Sequence, residues 1–266
     1  MTAPTTERVV DVWNGDIRLR FKVAGQGPAL VYLHGASGLV WDEVLDRLSQ
    51  DYTVYAPEFP GTSAVDPYAI HKVDDLWQLV LLYEQAIRQL DIGTPALMGQ
   101  SFGGMLAAEL AAAYPDRFSK LVLLDPVGLW RDDAPVTNWI TAPADSLPSL
   151  LFAEPDGPAA AALLAPPADP EEAIAAGAAL VWSMGCTGKF LWPLPDKGLR
   201  KRLHRVQAPT LVVWGEKDAL ISPVYAEDFV AGIADARATV IAGSGHIPQI
   251  EAADATYDQV SAFLSA

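Results

Sequence analysis

The chain has 266 residues, of which 51% are hydrophobic, and it carries a formal net charge of −15. The length suits one large α/β domain as well as two small ones, and the apolar content excludes a disordered chain. A nucleic-acid partner would require a basic stripe, and an anionic membrane surface would repel this charge, so we expect neither. The single cysteine, Cys186, excludes an intrachain disulfide, and we expect it to be a packed thiol.

The N-terminal segment Met1–Glu7 lacks the basic start and the apolar block of a signal peptide. No uninterrupted apolar run approaches the roughly 20 residues that are needed to span a bilayer. We therefore expect a cytoplasmic protein without a membrane-spanning segment. The sequence does not choose between a monomer and a homodimer.

Short apolar runs alternate with amphipathic or Ala-rich runs in the first half of the chain. Two strands are predicted around the Asn14-Gly15 turn and four more after it, at Arg8–Trp13, Asp16–Val23, Ala29–Leu33, Tyr52–Ala56, Ala96–Met98 and Leu121–Leu124. Helices are predicted between them, at Trp41–Leu48, Val73–Leu90 and Met105–Tyr114.

The last sixty residues repeat this alternation. Strands are predicted at Thr210–Trp214 and Ala238–Ile241, and helices around Tyr225–Ile233 and Ala255–Leu264. Buried apolar strands that alternate with helices predict a parallel sheet covered on both faces. The expected fold is therefore α/β, with a mostly parallel eight-stranded sheet and helices on both faces.

One stretch breaks the alternation, from about Val127 to Gln207, where no strand is evident and Ala, Pro and Trp are frequent. Its Trp and Leu content indicates a packed element rather than a loose linker. We predict a helical cap at residues 127–207, inserted after the sixth strand. The α/β core then comprises residues 1–126 and residues 208–266.

The pentapeptide Gly99-Gln100-Ser101-Phe102-Gly103 stands between a predicted strand and a predicted helix. G-x-S-x-G in this position is typical of a nucleophile elbow, a sharp turn that exposes the serine hydroxyl. Glycine on either side of the turn avoids collisions with the adjacent backbone. The motif also occurs by chance, so a purely structural turn is the alternative to a nucleophilic Ser101.

A serine nucleophile requires a base within hydrogen-bond reach and an acid that orients the base. His246 ends the run Gly243-Ser244-Gly245-His246 directly after the last predicted strand. Open α/β sheets place functional groups at the carboxyl ends of their strands. We therefore predict that His246 is the base, whereas His71 and His204 lie in polar surroundings typical of solvated side chains.

Two aspartates are candidates for the orienting acid, because each follows a predicted strand. Asp218 ends the run Trp214-Gly215-Glu216-Lys217-Asp218, and Asp125 directly follows Leu121–Leu124. Both satisfy the chain order Ser, Asp, His. We favour Asp218, because the turn around Gly215 projects its carboxylate at the edge of the sheet. Asp125 would then cap a helix or a turn.

An oxyanion hole requires two N–H groups that point at the developing negative charge. The Phe102 N–H lies at a helix N-terminus and is expected to be one of them. The glycine-rich loop His34–Gly38 follows the third predicted strand, and its Ala36 N–H is expected to be the other. We predict that His34 shapes this loop and that Ser37 contacts the substrate.

The elbow, the His-Gly loop, Trp-Gly-x-x-Asp and Gly-His, in this order, resemble the α/β-hydrolase superfamily over almost the whole chain except the cap. The resemblance implies that Ser101 attacks an acyl carbonyl, that His246 is general base and then acid, and that Asp218 orients it. Ala36 and Phe102 would stabilise the oxyanion. No cofactor is implied, and metal-binding and nucleotide-binding motifs are absent from the sequence.

Differences between this sequence and the patterns of several α/β-hydrolase subfamilies narrow the subfamily that we expect. Haloalkane dehalogenases and epoxide hydrolases have Asp where this chain has Ser101. The HGGG loop of some lipases is absent. Hydrolases of ring-cleavage products usually have an aromatic residue after the catalytic histidine, where this chain has Ile247. The Ser-Phe-Gly-Gly elbow resembles cofactor-free haloperoxidases, and Glu251 fits the family's habit of a Glu near the last helix.

We therefore expect a serine hydrolase that acts on a small, largely apolar carboxylic ester through an acyl-enzyme. A C–C bond hydrolase or lactonase with the same triad is one alternative, and a ligand-binding sensor with little turnover is another. Large apolar residues near a pocket favour apolar substrates. The predicted substrate contacts besides Ser37 are Ile247 and, with about half of them expected in the cap core, Trp130, Trp139, Trp182 and Trp192.

Overall fold

The computed structural model describes residues 4–266. Residues 1–3, which belong to the N-terminal segment and to the first predicted part of the core, lie outside the described residues. An eight-stranded sheet in the order β1-β2-β4-β3-β5-β6-β7-β8 forms the centre of the molecule. The strands are β1 Thr6–Val12, β2 Ile17–Ala24, β3 Ala29–Leu33, β4 Thr53–Pro57, β5 Ala96–Gln100, β6 Leu121–Leu124, β7 Thr210–Gly215 and β8 Ala236–Ile241.

The sheet is mostly parallel, as the alternation of strands and helices predicts. Strand β2 pairs antiparallel with both β1 and β4, and every other pair is parallel. After β3 the chain passes to β4 on one side and then to β5 on the other. The loops that follow β3 and β5 therefore diverge at a topological switch point, where open α/β sheets bind their ligands.

Helices follow most of the strands. The α-helices are α1 Glu43–Leu48, α2 Leu76–Gln89, α3 Phe102–Ala113, α4 Leu147–Leu151, α5 Pro158–Leu164, α6 Pro170–Leu191, α7 Tyr225–Gly232, α8 Pro248–Glu251 and α9 Ala253–Ser265. Single 3₁₀ turns lie at Trp13–Gly15, Ala69–Lys72, Ala144–Ser146, Leu199–Lys201 and Leu203–Arg205.

The side chains of the parallel strands divide between two hydrophobic cores, one on each face of the sheet. Leu30 of β3 belongs to the core that also contains apolar residues of α1 and α9. The next residue, Val31, belongs to the opposite core, with residues of α2, α3 and α7. This alternation follows from the two-residue period of a strand, and it buries both faces.

The predicted strands end within two residues of the observed ones, but four helices, α1, α2, α3 and α9, begin elsewhere than predicted. The side chain of Asp42 accepts a hydrogen bond from Leu45 N–H, and that of Asp75 accepts one from Gln78 N–H. These aspartates cap α1 and α2 from outside the helix, whereas the predictions placed them inside it. Helix α3 begins at Phe102, so the second glycine of the elbow is already helical.

The insertion between β6 and β7 contains α4, α5 and α6, and its described residues include no strand. Its bounds at residues 127 and 207 stay a proposal. Helix α6 is long and apolar enough to cross a membrane by length and composition, with 33% of its most apolar window buried. The sequence criterion, an uninterrupted apolar run, does not identify this helix, because Ser183 and Thr187 interrupt its apolar residues. One such helix is weak evidence for a membrane segment, since core helices of soluble proteins also meet these criteria.

Candidate active site

Ser101 lies in the sharp turn between β5 and α3. Its backbone has φ 52° and ψ −114°, a conformation that costs a non-glycine residue about 1–3 kcal/mol. The flanking glycines make the turn sterically possible. A Cβ atom on Gly99 would collide with the Gly103 carbonyl, and one on Gly103 would collide with the Leu33 carbonyl of β3. The turn thus has the geometry of a nucleophile elbow.

Three buried side chains form a hydrogen-bonded line at the carboxyl end of the sheet. Nε2 of His246 lies 2.9 Å from Oγ of Ser101, and Nδ1 lies 2.8 Å from Oδ2 of Asp218. In the tautomer that this arrangement requires, Nδ1–H donates to the carboxylate and Nε2 accepts from the hydroxyl. Ser101, Asp218 and His246 are 4%, 6% and 2% exposed, so water does not compete for these bonds.

The Asp218 carboxylate is held by the loop that carries it. Its Oδ1 accepts hydrogen bonds from the Leu220 and Ile221 N–H groups, both at 2.9 Å. The Trp214 indole N–H donates to Oδ2 at 3.1 Å and to the Ile221 carbonyl at the same distance. Asp218, not Asp125, therefore contacts the imidazole, and its orientation is fixed by the end of β7.

Asp125 is completely buried beside this triad. Its Oδ1 accepts a hydrogen bond from Gly215 N–H at 2.8 Å, whereas its Oδ2 has no hydrogen-bond partner. Burial raises the pKa of Asp125 well above its usual range, and repulsion from the Asp218 carboxylate is the second largest cause of this shift. The neutral form of the Asp125 carboxyl group is thus favoured in the folded protein.

The predicted oxyanion loop is held by His34. Its Nδ1 lies 2.7 Å from the Gly35 carbonyl, and its Nε2 accepts from Phe59 N–H at 3.0 Å. Burial lowers the pKa of His34, which agrees with a neutral ring that donates once and accepts once. His34 therefore shapes the loop through two hydrogen bonds, and Ala36 reaches the wall of the catalytic pocket.

Phe102 is the first residue of α3, and first-turn N–H groups have no acceptor within their own helix. Phe102 directly follows Ser101, and Ala36 lines the same cavity as Ser101. Their N–H groups are the only ones that the sequence predicted for an oxyanion hole, and their role stays a proposal.

A cavity of about 270 Å³ opens onto Ser101 and His246. Its polar wall also contains Ser37 and Gln100, and Ala36 lies beside Ser37 in the same wall. The remaining wall is apolar, with Val40, Trp139, Leu147, Leu151, Leu163, Leu164, Leu180, Met184, Leu220 and Ile247. Larger grooves of about 700 and 580 Å³ lie elsewhere and contain no triad residue, so they are not candidates for this chemistry.

The structure brings three of the predicted substrate contacts to this cavity, namely Ser37, Trp139 and Ile247. Trp130, Trp182 and Trp192 lie elsewhere, so the prediction for these three was wrong. The Trp130 indole N–H donates to Asp132, and that of Trp182 donates to the Gly61 carbonyl. Trp192 packs edge-on against Trp139 at 5.0 Å between ring centroids, behind the wall. Composition identified the apolar cap but not the direction of each side chain.

Three polar residues that support the site were not predicted to do so. Gln100 Nε2 donates to the His246 carbonyl at 3.2 Å. Ser183 Oγ on α6 donates to the Ala36 carbonyl at 3.0 Å. Glu251 accepts from Gly245 N–H at 2.6 Å and from Ala153 N–H at 2.8 Å, which joins the histidine loop to the insertion. Only Glu251 had a signal in the sequence, its place before the last helix.

Aliphatic cavity residues of the insertion were missed as well. Leu180 and Met184 are four residues apart and therefore share one face of α6. The four-residue spacing is visible in the sequence, but it does not show what this face of α6 contacts.

One group of side chains in the described chain has the composition of a metal site. Ligand atoms of Asp125, Asp218 and His246 lie within 4.8 Å of one another. However, His246 already shares a proton with Asp218, whose other oxygen is filled by two N–H donors. The donor set thus fits a proton relay better than a metal ion, which agrees with the absence of metal motifs in the sequence.

Residues 30–259 match the model of a protein family described as the alpha/beta hydrolase family. The chain belongs to this family. The hydrolase is 26% identical over 274 residues to a pimeloyl-[acyl-carrier protein] methyl ester esterase of Vibrio atlanticus, which covers 92% of this chain and 97% of the relative. It is 27% identical over 264 residues to a 2-hydroxy-6-oxo-6-phenylhexa-2,4-dienoate hydrolase of Comamonas testosteroni, with 90% and 88% covered.

A third relative is much longer. The hydrolase is 31% identical over 262 residues to a polyketide synthase of Burkholderia thailandensis, spanning 94% of this chain but only 12% of that protein. Among solved structures, a bacterial membrane phospholipase A superposes with a TM-score of 0.78 at 20% identity, covering 98% of this chain and 86% of the other. The latter likeness shows the fold alone. Relatives named as esterase, hydrolase and lipase make this chain an α/β-hydrolase enzyme.

Proposed function

We propose that this hydrolase cleaves a small, largely apolar carboxylic ester through a serine acyl-enzyme. The observation that carries the proposal is the line from Ser101 through His246 to Asp218, with 2.9 and 2.8 Å between its members, at the floor of an apolar cavity. Nucleophile, base and orienting acid in such contact activate a hydroxyl that is otherwise a weak nucleophile at neutral pH.

The proposed reaction has two halves. Ser101 Oγ attacks the ester carbonyl while His246 Nε2 takes its proton, and the imidazolium is stabilised by Asp218. The Phe102 and Ala36 N–H groups stabilise the negative charge on the former carbonyl oxygen. His246 then returns the proton to the leaving alcohol. In the second half the same nitrogen activates water, which releases the acid and restores the serine.

The cavity suggests the size and polarity of the substrate. Its volume of about 270 Å³ lies just below the usual range for ligand pockets, roughly 300–1,000 Å³. Eleven of its fifteen wall residues are apolar, and none is Lys or Arg. These features favour a short, uncharged acyl group and disfavour a substrate that is held by its carboxylate.

A C–C bond hydrolase is the second candidate, because the Comamonas relative bears the name of such an enzyme. Its named substrate is a dienoate, which carries a carboxylate. The wall of the present cavity offers no cation to that group, and the residue after His246 is the aliphatic Ile247. We therefore rank ester hydrolysis first. A lactone is an ester in a ring and fits the same machinery. A sensor with little turnover is disfavoured by a triad that is fully hydrogen-bonded.

The test is a series of p-nitrophenyl esters from acetate to laurate, with a vinylogous diketone and a lactone alongside. We expect kcat/KM to rise about fourfold for each added methylene, or about 0.8 kcal/mol, until the cavity is full, and to fall for longer chains. Ser101→Ala should reduce kcat by at least a thousandfold, whereas Ser37→Ala, in the same wall, should retain turnover. Undiminished turnover by Ser101→Ala would contradict the proposal, and turnover of the diketone alone would favour the second candidate.

A further inference from the structure

Asp125 is held in place with more constraint than a turn requires. Its φ is +43°, in the left-handed region that non-glycine residues rarely adopt. Its N–H donates to the Val213 carbonyl at 2.9 Å, and its Oδ1 accepts from Gly215 N–H at 2.8 Å. Two bonds to β7 therefore fix the side chain against the start of the loop that carries Asp218.

The second oxygen of this carboxyl group, Oδ2, takes part in neither of these hydrogen bonds. Asp125 Oδ2 is buried and receives no hydrogen bond from any described N–H or O–H group. An ionised oxygen in this position would be costly, since a buried charge must be paired. A ligand oxygen of Asp125 lies within 4.8 Å of the polar atoms of both Asp218 and His246. The carboxyl group of Asp125 thus lies beside Asp218 and His246.

Four N–H groups point at the Asp218 carboxylate, two at each oxygen, and one of the four is shared with another acceptor. Its Oδ1 is filled by two N–H groups, but its Oδ2 receives, besides the imidazole, only an indole N–H that is shared with the Ile221 carbonyl. A carboxylate has about four acceptor sites, and a shared donor fills one of them poorly. Burial and the nearby Asp218 carboxylate both disfavour the ionised form of Asp125.

We propose that Asp125 is a positioning residue of the triad, whose neutral carboxyl group donates a hydrogen bond from Oδ2 to the Asp218 carboxylate. The direction of the pKa shift of Asp125 agrees with the donor role. The bond spreads the negative charge of Asp218 and so weakens the attraction of this carboxylate for a protonated imidazole. Asp125 acts through Asp218 and does not touch the substrate.

The inference rests on the proposed serine hydrolase function only for its kinetic readout. Its other readout is the titration of His246 in the free protein, followed by NMR of ¹⁵N-histidine-labelled samples with His246→Ala to assign the signal. This measurement needs no substrate. A protein that turns over no ester but shows the expected titrations would therefore refute the function and support the role of Asp125.

Two variants separate the possible states of Asp125. Asp125→Asn keeps an acceptor for Gly215 N–H and a donor for Asp218, so it should leave the pKa of His246 and the acid limb of kcat/KM unchanged. The leucine of Asp125→Leu has a similar shape but no hydrogen-bond donor. This variant should raise the pKa of His246 and the midpoint of the acid limb of kcat/KM by about one pH unit, the expected size for a hydrogen bond to a charged group. Turnover on the acid limb would then fall about tenfold.

The outcomes are distinct. If Asp125 were ionised, Asp125→Asn would remove a negative charge and move the titration of His246 to lower pH, which would overturn the proposal. If Asp125 only supported the end of β7, Asp125→Leu would lower the alkaline plateau of kcat/KM without moving the limb, which would also overturn it. Asp125→Ala removes the donor without adding bulk and replaces the Leu variant if that one does not fold.

Discussion

Helices α3 and α6 are both apolar and rich in Ala and Gly, yet they differ in what surrounds them. In α3, every residue from Phe102 to Ala112 is buried. In α6, burial begins only at Ser183, and large apolar side chains before this residue are exposed, such as Ile174 at 75% and Val181 at 71%. The composition of a helix thus predicts its burial poorly, whereas the position of the helix in the fold predicts it well.

The reason is that α3 follows a central strand, β5, and is covered by its neighbours in a fixed layer of the fold. Helix α6 belongs to the insertion and meets the core only through its second half. There it contributes to the site, since Ser183 binds the Ala36 carbonyl and Met184 lines the catalytic cavity. The part of α6 from Ser183 onward is therefore partly buried, whereas the part before Ser183 is largely exposed.

The largest expected effect tests the burial of α3. Leu110 is completely buried, so Leu110→Ala removes apolar contacts and leaves a cavity. We expect a loss of 2–5 kcal/mol in the free energy of unfolding, measured by urea denaturation. A loss below 1 kcal/mol would mean that α3 packs no better than α6, and the comparison would fail.

An intermediate effect is expected in the second half of α6. Ser183→Ala removes the hydrogen bond to the Ala36 carbonyl, worth about 1 kcal/mol, and should loosen the proposed oxyanion loop. We expect kcat/KM for a p-nitrophenyl ester to fall about fivefold, while the urea midpoint changes little. The matched control is Ser149→Ala, on α4, whose hydroxyl bonds only a neighbouring carbonyl. Equal losses in the two variants would argue against a specific link between α6 and the loop.

The smallest effect is expected in the first half of α6. Ile174→Ala changes an exposed side chain without a described core contact, so the free energy of unfolding should shift by no more than about 0.5 kcal/mol. The same urea titration measures it. A loss as large as that of Leu110→Ala would show that Ile174 is covered in solution.

The sequence predicted the centre of the sheet well because β3, β5, β6 and β7 are almost completely buried and bounded by turns. Ala29–Leu33 and Leu121–Leu124 were predicted with their observed ends. The starts of α1 and α2 were missed because Asp42 and Asp75 are equally good as caps or as first-turn residues, and only their hydrogen bonds decide. Helix α8 was missed altogether, since one turn of Pro248–Glu251 carries no periodicity.

The sequence predicted those site residues that lie in short motifs next to a strand. Ser101 and His246 follow strands with the glycines that their turns require, and the structure brings them into contact. The choice between Asp218 and Asp125 was weighted by the Gly215 turn, yet both lie at strand ends, and the sequence could not show that they lie side by side. Three cap tryptophans failed as pocket residues because aromatic content does not tell on which side of a cap a ring packs.

The central claim, that Ser101 is an activated nucleophile, is tested most directly by a fluorophosphonate and intact-mass spectrometry. The account predicts one adduct per wild-type molecule, located on the peptide that contains Ser101, and none on Ser101→Ala. A melting curve of the variant serves to show that it remains folded. Absence of an adduct on the wild type, or equal labelling of the folded Ser101→Ala variant, would contradict the account.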